Sequence, residues 1–179
     1  WGYGQAIAGL LVAVTGPIVG AIADVRGQRK PWVLFANALM MIGLSATWIA
    51  VPGETQWVPL ILTGIILASL GSEYGVVFTN AMLPDLARPG EMGRLSGFGW
   101  GLGYLGGLVM LIIVLTQLAL PEQPALGLDP VSHEPDRIVG PLSALWLLIF
   151  SLPLFLFVPE RQRNHVPMVK AVKDGLSSL

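Results

Sequence analysis

The sequence alternates between five long apolar runs and short polar joints. The runs cover residues 1–23, 31–51, 57–83, 95–120 and 138–158. Four of them contain no charged residue, and 57–83 contains only Glu73. A hydrocarbon core of about 30 Å needs roughly 20 helical residues to cross it, whereas a barrel strand alternates apolar and polar positions over about ten. The pattern therefore predicts an all-α membrane protein with five transmembrane helices in one bundle, residues 1–158.

Residues 159–179 form a polar tail after the last run. Val169, Val172 and Leu176 lie on one helical stripe, with Lys170 and Lys173 beside them. An amphipathic helix on the inner membrane surface and a disordered linker both fit this pattern.

Composition supports a membrane protein and narrows the chemistry. Hydrophobic residues make up 54% of the chain and charged residues 12%, about half the usual charged share of a soluble domain. The net charge of -1 gives no indication of nucleic acid as a partner. The chain has no cysteine, and its two histidines, His133 and His165, lie far apart. We therefore expect no metal, no cofactor and no enzymatic centre.

Lysine and arginine are distributed unequally between the two ends of the predicted helices. Only Arg137 falls on one side. The other nine share the opposite side: Arg26, Arg29, Lys30, Arg88, Arg94, Arg161, Arg163, Lys170 and Lys173. Because basic loops stay in the cytoplasm, the nine mark the inner side and the tail from Pro159 is expected there. We expect a multi-pass protein of a bacterial inner membrane.

The chain opens with Trp1 inside an apolar run and has an odd number of predicted helices. We expect a fragment of a longer protein, whose remaining helices would be partners of this bundle alongside the lipid.

The first inner joint carries a specific pattern of glycines and charges. Gly20, Asp24, Gly27, Arg29 and Lys30 fit Gly-x-x-x-Asp-x-x-Gly-x-Arg-Lys. An anion at a helix C-terminus opposes the helix dipole, so Asp24 needs nearby cations. The pattern resembles the signature loop between the second and third helices of the major facilitator superfamily. The resemblance implies helices two to six of a twelve-helix transporter, with two bundles that rock around a central site, and a loop that holds one state.

A second set of motifs indicates a branch of that superfamily. The segments are 29–32, 78–87 and 93–107, beginning Arg-Lys-Pro-Trp, Phe-Thr-Asn and Gly-Arg-Leu-Ser. Together they resemble the Atg22-like branch, called the UMF1 family in bacteria, which includes vacuolar amino-acid effluxers. Glycoside–cation symporters have a similar basic loop and stay open as an alternative. Tyr104 stands where the antiporter signature of the fifth helix has proline, so symport, antiport and uniport all stay open.

Glu73 is the strongest candidate for a transport site. It lies about 15 Å inside its helix, counted from the inner end at 1.5 Å per residue, and carboxylates at such depth normally face the bundle interior. It would bind a proton or the solute, or else make a structural hydrogen bond. Asn37, Asn80 and Tyr104 are further candidates for a polar path, with Gln5 and Gln117 as additional amides. Amides in membrane helices also serve as contacts between helices.

Gly99, Gly103 and Gly107 recur every four residues, which lets two membrane helices pack backbone to backbone. Residues 101–106 also match Gly-x-Gly-x-x-Gly, a pattern found in dinucleotide-binding sites. Such a site requires a preceding strand and a helix that begins at the glycines, and neither is predicted here. The function that fits these observations is secondary transport of a small polar solute. A non-transporting helical bundle is the alternative from another class.

Overall fold

The computed structural model describes residues 2–159, with only the backbone described at positions 21, 22 and 24–26. The α-helices are α1 (Gly2–Arg26), α2 (Lys30–Ala46), α3 (Val58–Leu86), α4 (Met92–Val114), the short α5 (Glu134–Arg137) and α6 (Val139–Phe157). Three-residue 3-10 turns cover Thr47–Ile49, Thr55–Trp57 and Ala125–Gly127, and a π turn, Leu115–Ala119, extends α4. Five helices are long and apolar enough to cross a membrane, and the described residues contain no strand. The predicted fold class is confirmed. The predicted tail, 159–179, lies outside the described residues apart from Pro159.

The end of α3 differs from the expected boundary. The sequence predicts a joint from Pro84, but α3 continues through Pro84 to Leu86. Proline lacks an N–H, so Pro84 cannot donate to the carbonyl of Asn80 four residues earlier. The helix nevertheless persists, and Ala87 N donates to Leu83 O at 2.9 Å to close its last turn.

α3 is the central helix of the packed part of the bundle. It packs between α1 and α2, and α2 also packs against α6. A buried cluster lies towards the helix ends that are predicted to face the cytoplasm, which we call the inner ends. Its members come from α1, α2 and α3, and partly buried residues of α6 pack against them: Ala23, Val33, Ala36, Tyr74, Phe78 and Met82. α4 is different, because it makes few contacts with α3 and contains no buried residue.

Small residues set the α2–α3 crossing. A Cβ atom at Gly43 would collide with the backbone at Gly64, and one at Gly71 would lie 2.5 Å from the carbonyl oxygen of Ala36. Ala36 and Gly43 are seven residues apart on α2, as are Gly64 and Gly71 on α3. The two antiparallel helices therefore meet at two points in one register, backbone against backbone.

The outward faces of the helices are apolar. Large side chains such as Leu10, Ile42, Phe98, Ile112 and Phe150 are each at least half exposed. A soluble protein would not display so much contiguous apolar surface, which suits a lipid environment. The described chain is an integral, multi-pass membrane protein.

Two cations join α2 and α6 at opposite ends. At the inner end, Lys30 Nζ donates to the carbonyl of Phe155, in the last turn of α6, at 2.9 Å. At the outer end, Arg137 Nε and Nη2 donate to the carbonyl of Trp48 at 2.8 and 2.5 Å, and the guanidinium lies 4.7 Å from the Trp48 ring centroid. Lys30 is the first residue of α2, whereas Arg137 ends α5, just before α6, and Trp48 lies in the 3-10 turn that follows α2. Each cation thus lies at or just before the start of one long helix and bonds a carbonyl near the end of the other. Charge-assisted bonds of this kind also offset the negative end of the helix dipole.

Arg137→Gln tests the outer contact. Hydrogen bonds to charged groups contribute about 1.5–3 kcal/mol. We therefore expect a lower thermal transition of the full-length protein in detergent, measured by fluorescence or light scattering. Arg94→Gln is the matched control, since Arg94 is 83% exposed and pairs only locally with Glu91 at 3.2 Å. Equal stability of the Arg137 and Arg94 variants would show that the outer contact contributes nothing.

Candidate functional site

The loop between α1 and α2 begins at a glycine in the left-handed region. Gly27 has a φ of 73° and is buried, and its N–H donates to Ala23 O at 3.0 Å. A glycine just past the last helical residue is the usual way to end a helix with its carbonyls satisfied. Three residues later α2 begins at Lys30, with Pro31 in the first turn where its missing N–H costs little. This turn fixes where Arg29 and Lys30 point.

Arg29 forms an ion pair with Asp85 at the inner end of α3. Arg29 Nη1 lies 2.6 Å from Asp85 Oδ2, and the side chains are 12% and 44% exposed. Asp85 belongs to the last turn of α3, where the helix dipole disfavours an anion, and the guanidinium compensates for this. We call this contact the inner ion pair.

Asp85 was not predicted as a partner of these cations. The sequence indicated Asp24 instead, whose side chain lies outside the described residues. A signal was nevertheless present, because Asp85 lies in the second inner joint and therefore on the same side of the membrane as Arg29. Together with the Lys30–Phe155 contact, the inner ion pair joins this loop to α3 and α6.

Gly20 lies where α1 approaches α3. A Cβ atom there would be 3.8 Å from Val77 Cγ1, an ordinary contact distance. On the same interface the hydroxyls of Thr15 and Tyr74 share a hydrogen bond, and Ser69 Oγ donates to Gln5 Oε1 at 3.3 Å. Polar groups thus connect these two helices within the apolar layer.

A groove of about 520 Å³ separates α3 from α4. Asn80 and Tyr104, which the sequence proposed independently, both line it. The remaining lining residues are Val76, Thr79, Leu83, Leu95, Ser96, Gly99, Trp100 and Gly103. The Trp100 and Tyr104 rings pack with centroids 6.2 Å apart. We call this space the α3–α4 groove.

Asn80 gives the α3–α4 groove two kinds of polar group. Its side-chain amide both donates and accepts hydrogen bonds. Its main-chain carbonyl oxygen receives no hydrogen bond from residue 84, because proline has no N–H. An Asn followed four residues later by Pro is a signal that can be read from the sequence.

Glu73 lies on the α3 face that leads into the α3–α4 groove. Val76 and Asn80 follow it at three and seven residues, which places all three on one side of the helix. Its side chain is exposed rather than turned into the described helices. Along the axis it lies about 18 Å from Asp85, at 1.5 Å per residue.

Asn37 is not part of the α3–α4 groove. It is 9% exposed and lines a second space, of about 1000 Å³, between α2, α4 and α6. Thr79 and Gly103 border both spaces, so the two are neighbours. The structure therefore brings Asn80 and Tyr104 together, places Glu73 on the same α3 face, and leaves Asn37 apart.

Gly99, Gly103 and Gly107 contact no other helix within the described residues. A Cβ atom at any of the three would have nothing within 4 Å. Their role in packing stays a prediction. Among residues 2–159, no three His, Asp or Glu side chains come together to hold a metal ion.

Comparison with known proteins gives two matches. The family described as "Vacuole effluxer Atg22 like" matches residues 2–94 and 90–179. An uncharacterized MFS-type transporter of Bacillus subtilis, YxiO, is 29% identical over 163 residues, which is 89% of this chain and 36% of that protein. The chain thus spans about a third of the length of this relative. It has no significant match among solved structures.

Single cysteines test whether the α3–α4 groove holds water. We expect Asn80→Cys and Ser96→Cys to react with a membrane-impermeant thiol reagent in intact membranes, because thiolate forms readily only where water reaches it. Leu108→Cys is the matched control, since Leu108 is 54% exposed on α4 but lines neither space. Equal rates at all three positions would show that the groove is filled by lipid or another helix.

Proposed function

Because the chain belongs to the Atg22-like family of major facilitator superfamily (MFS) transporters, we propose that it is part of a secondary transporter that moves a small polar solute by alternating access. The match confirms the resemblance drawn from the sequence. The proposed location is a bacterial inner membrane, with the tail from Pro159 in the cytoplasm, as the lysine and arginine distribution predicts.

The inner ion pair is the observation that supports this mechanism most directly. It joins the signature loop to the end of α3, on the side that the lysine and arginine distribution assigns to the cytoplasm. With its carboxylate almost half exposed, such a pair contributes about 1 kcal/mol or less. This is enough to favour one state of the transporter and small enough to be broken in every cycle. We propose that Asp24 belongs to the same set of charges.

The α3–α4 groove is the proposed path for the solute. Its volume of about 520 Å³ falls within the usual range for small-molecule sites, and its few polar groups lie among apolar walls. Asn80 and Tyr104 offer donors and acceptors to a polar molecule. The carboxylate of Glu73 would attract an ammonium group or carry a proton. These features favour an amino acid as the solute, moved outward as the family description "effluxer" suggests.

Asp85→Asn tests the role of the inner ion pair. Losing about 1 kcal/mol of preference for one state corresponds to about a fivefold change in a rate or population. We expect a maximal transport rate reduced by about that factor, with the half-saturating solute concentration little changed. The measurement is solute uptake into proteoliposomes that contain the full-length protein.

Glu91→Gln is the matched control for Asp85. Glu91 lies between α3 and α4, immediately before α4, and pairs with the exposed Arg94 in the first turn of α4. It should transport at the normal rate. Should Asp85→Asn also turn over normally, or should both variants slow equally, the inner ion pair would have no specific part in the cycle.

Glu73→Gln tests proton coupling. The amide keeps the shape of the side chain but cannot take up and release a proton, so the component of transport driven by an imposed pH gradient should disappear. Exchange of labelled solute without a gradient should persist. Glu54→Gln, at the outer joint where Glu54 accepts a hydrogen bond from the Trp57 indole at 2.9 Å, is the control.

The solute is identified in the same assay. Amino acids and glycosides are tested in parallel, each with every imposed ion gradient. Transport of glycosides with a cation and not of amino acids would replace the proposed solute class, and absence of any flux in active liposomes would favour a non-transporting bundle. If gradient-driven uptake were unchanged in Glu73→Gln, protons would not be coupled through this residue.

A further inference from the structure

A pocket of about 390 Å³ lies at the joint between α3 and α4, and we call it the inner basic pocket. It is on the side that the lysine and arginine distribution assigns to the cytoplasm. Its lining comes entirely from residues 86–98 and includes Arg88 and Arg94. Because one short stretch of the chain forms all of its walls, the pocket does not depend on helices outside this chain.

Two arginines and one acid give the inner basic pocket a net positive charge. The Arg88 guanidinium makes no hydrogen bond or ion pair within residues 2–159. Arg94 pairs with Glu91 at 3.2 Å, but its side chain is 83% exposed. A guanidinium has five N–H donors, so one ion pair leaves others available. Both arginines can therefore donate to an anion in the pocket.

The rest of the lining is largely apolar and faces outward. Phe98 is 68% exposed, Leu86 42% and Leu95 36%. A soluble anion would bind the arginines but leave these side chains uncovered. A neutral acyl chain would cover them but offer no acceptor to the guanidiniums. A phospholipid with a negatively charged headgroup meets both requirements, because it joins a phosphate to apolar chains at the edge of the hydrocarbon layer.

We propose that the inner basic pocket binds one anionic phospholipid of the inner leaflet. Its phosphate lies between Arg88 and Arg94, and the upper part of one chain lies against Phe98. Guanidinium groups suit this task, because they bind phosphate through paired hydrogen bonds. Leu95 also borders the α3–α4 groove, so the lipid lies beside the inner end of that groove. The proposal rests on the predicted orientation of the chain and not on transport.

Photolabelling of the full-length protein in nanodiscs tests this site. The probe is a phosphatidylglycerol that carries a diazirine near the top of one chain, diluted in phosphatidylcholine. Labelled peptides are located by mass spectrometry. In the unaltered protein we expect label within residues 86–98. Unlabelled phosphatidylglycerol should suppress it, whereas additional phosphatidylcholine and inorganic phosphate should not.

Removing the two arginine charges should weaken the labelling. An arginine near the membrane surface contributes about fivefold to the binding of anionic lipid. Arg88→Gln and Arg94→Gln should each raise the phosphatidylglycerol fraction at half-maximal labelling about fivefold, and the double variant about twenty-fivefold. The control is Lys170→Gln with Lys173→Gln, which removes two positive charges from the same predicted side but outside residues 86–98. It should leave the labelling of that stretch unchanged.

Four results would overturn the proposal. Suppression by inorganic phosphate would indicate a site for a soluble anion. Equal labelling by a diazirine phosphatidylcholine, or an equal loss in the lysine control, would indicate general contact with the bilayer. Absence of label from residues 86–98 of the unaltered protein would show that something other than lipid covers the pocket. None of these results measures flux, so failure here leaves the proposed transport function untouched.

Discussion

A hydrocarbon layer offers no hydrogen bonds, and this constraint explains most of the contacts between the helices. Each polar group in the layer must find a partner on its own helix or on a neighbouring one. Thr63, Thr79 and Thr116 donate to carbonyls four residues earlier on their own helices, whereas Thr15 and Ser69 reach across the α1–α3 interface. Asn80 is a different case, because Pro84 cannot donate to its main-chain carbonyl and the residue lines the α3–α4 groove.

Charge follows the same constraint at the two edges of the layer. The inner ion pair, Lys30 and Arg137 all lie at helix ends, where water is near and helix carbonyls are unsatisfied. Arg29, at the start of α2, joins it to α3 through the inner ion pair, Lys30 joins α2 to α6, and Arg137 joins α5 to the turn that follows α2. α4 receives no such contact from another helix within the described residues. The described helices are thus closely packed around α2 and α3. They are loosely packed beside α4, which borders both the α3–α4 groove and the second space.

The sequence predicted the five helices because charge is excluded from stretches long enough to span the layer, and that signal is local. It also placed Gly27, Arg29 and Lys30 in one inner turn and identified Asn80 and Tyr104 as polar groups of the membrane layer. The pairing of Arg29 with Asp85, 56 residues away, depends on how α2 and α3 pack, which no single segment encodes. The glycines of the α2–α3 crossing, Gly43, Gly64 and Gly71, were not among the predicted packing positions, which lay in the denser series of Gly99, Gly103 and Gly107. The seven-residue spacing on two helices was their signal.

The register of that crossing restricts how the helices can move. Ala36 faces Gly71 while Gly43 faces Gly64, so two backbone contacts must be satisfied at once. Sliding α2 along α3 by one turn would place side chains such as Leu39 or Met40 where only a hydrogen atom fits. Intermediate positions would be sterically blocked at both contacts rather than gradually less favourable. The α2–α3 pair therefore has one alignment available. In any rearrangement of the protein the two helices must move together as one rigid unit.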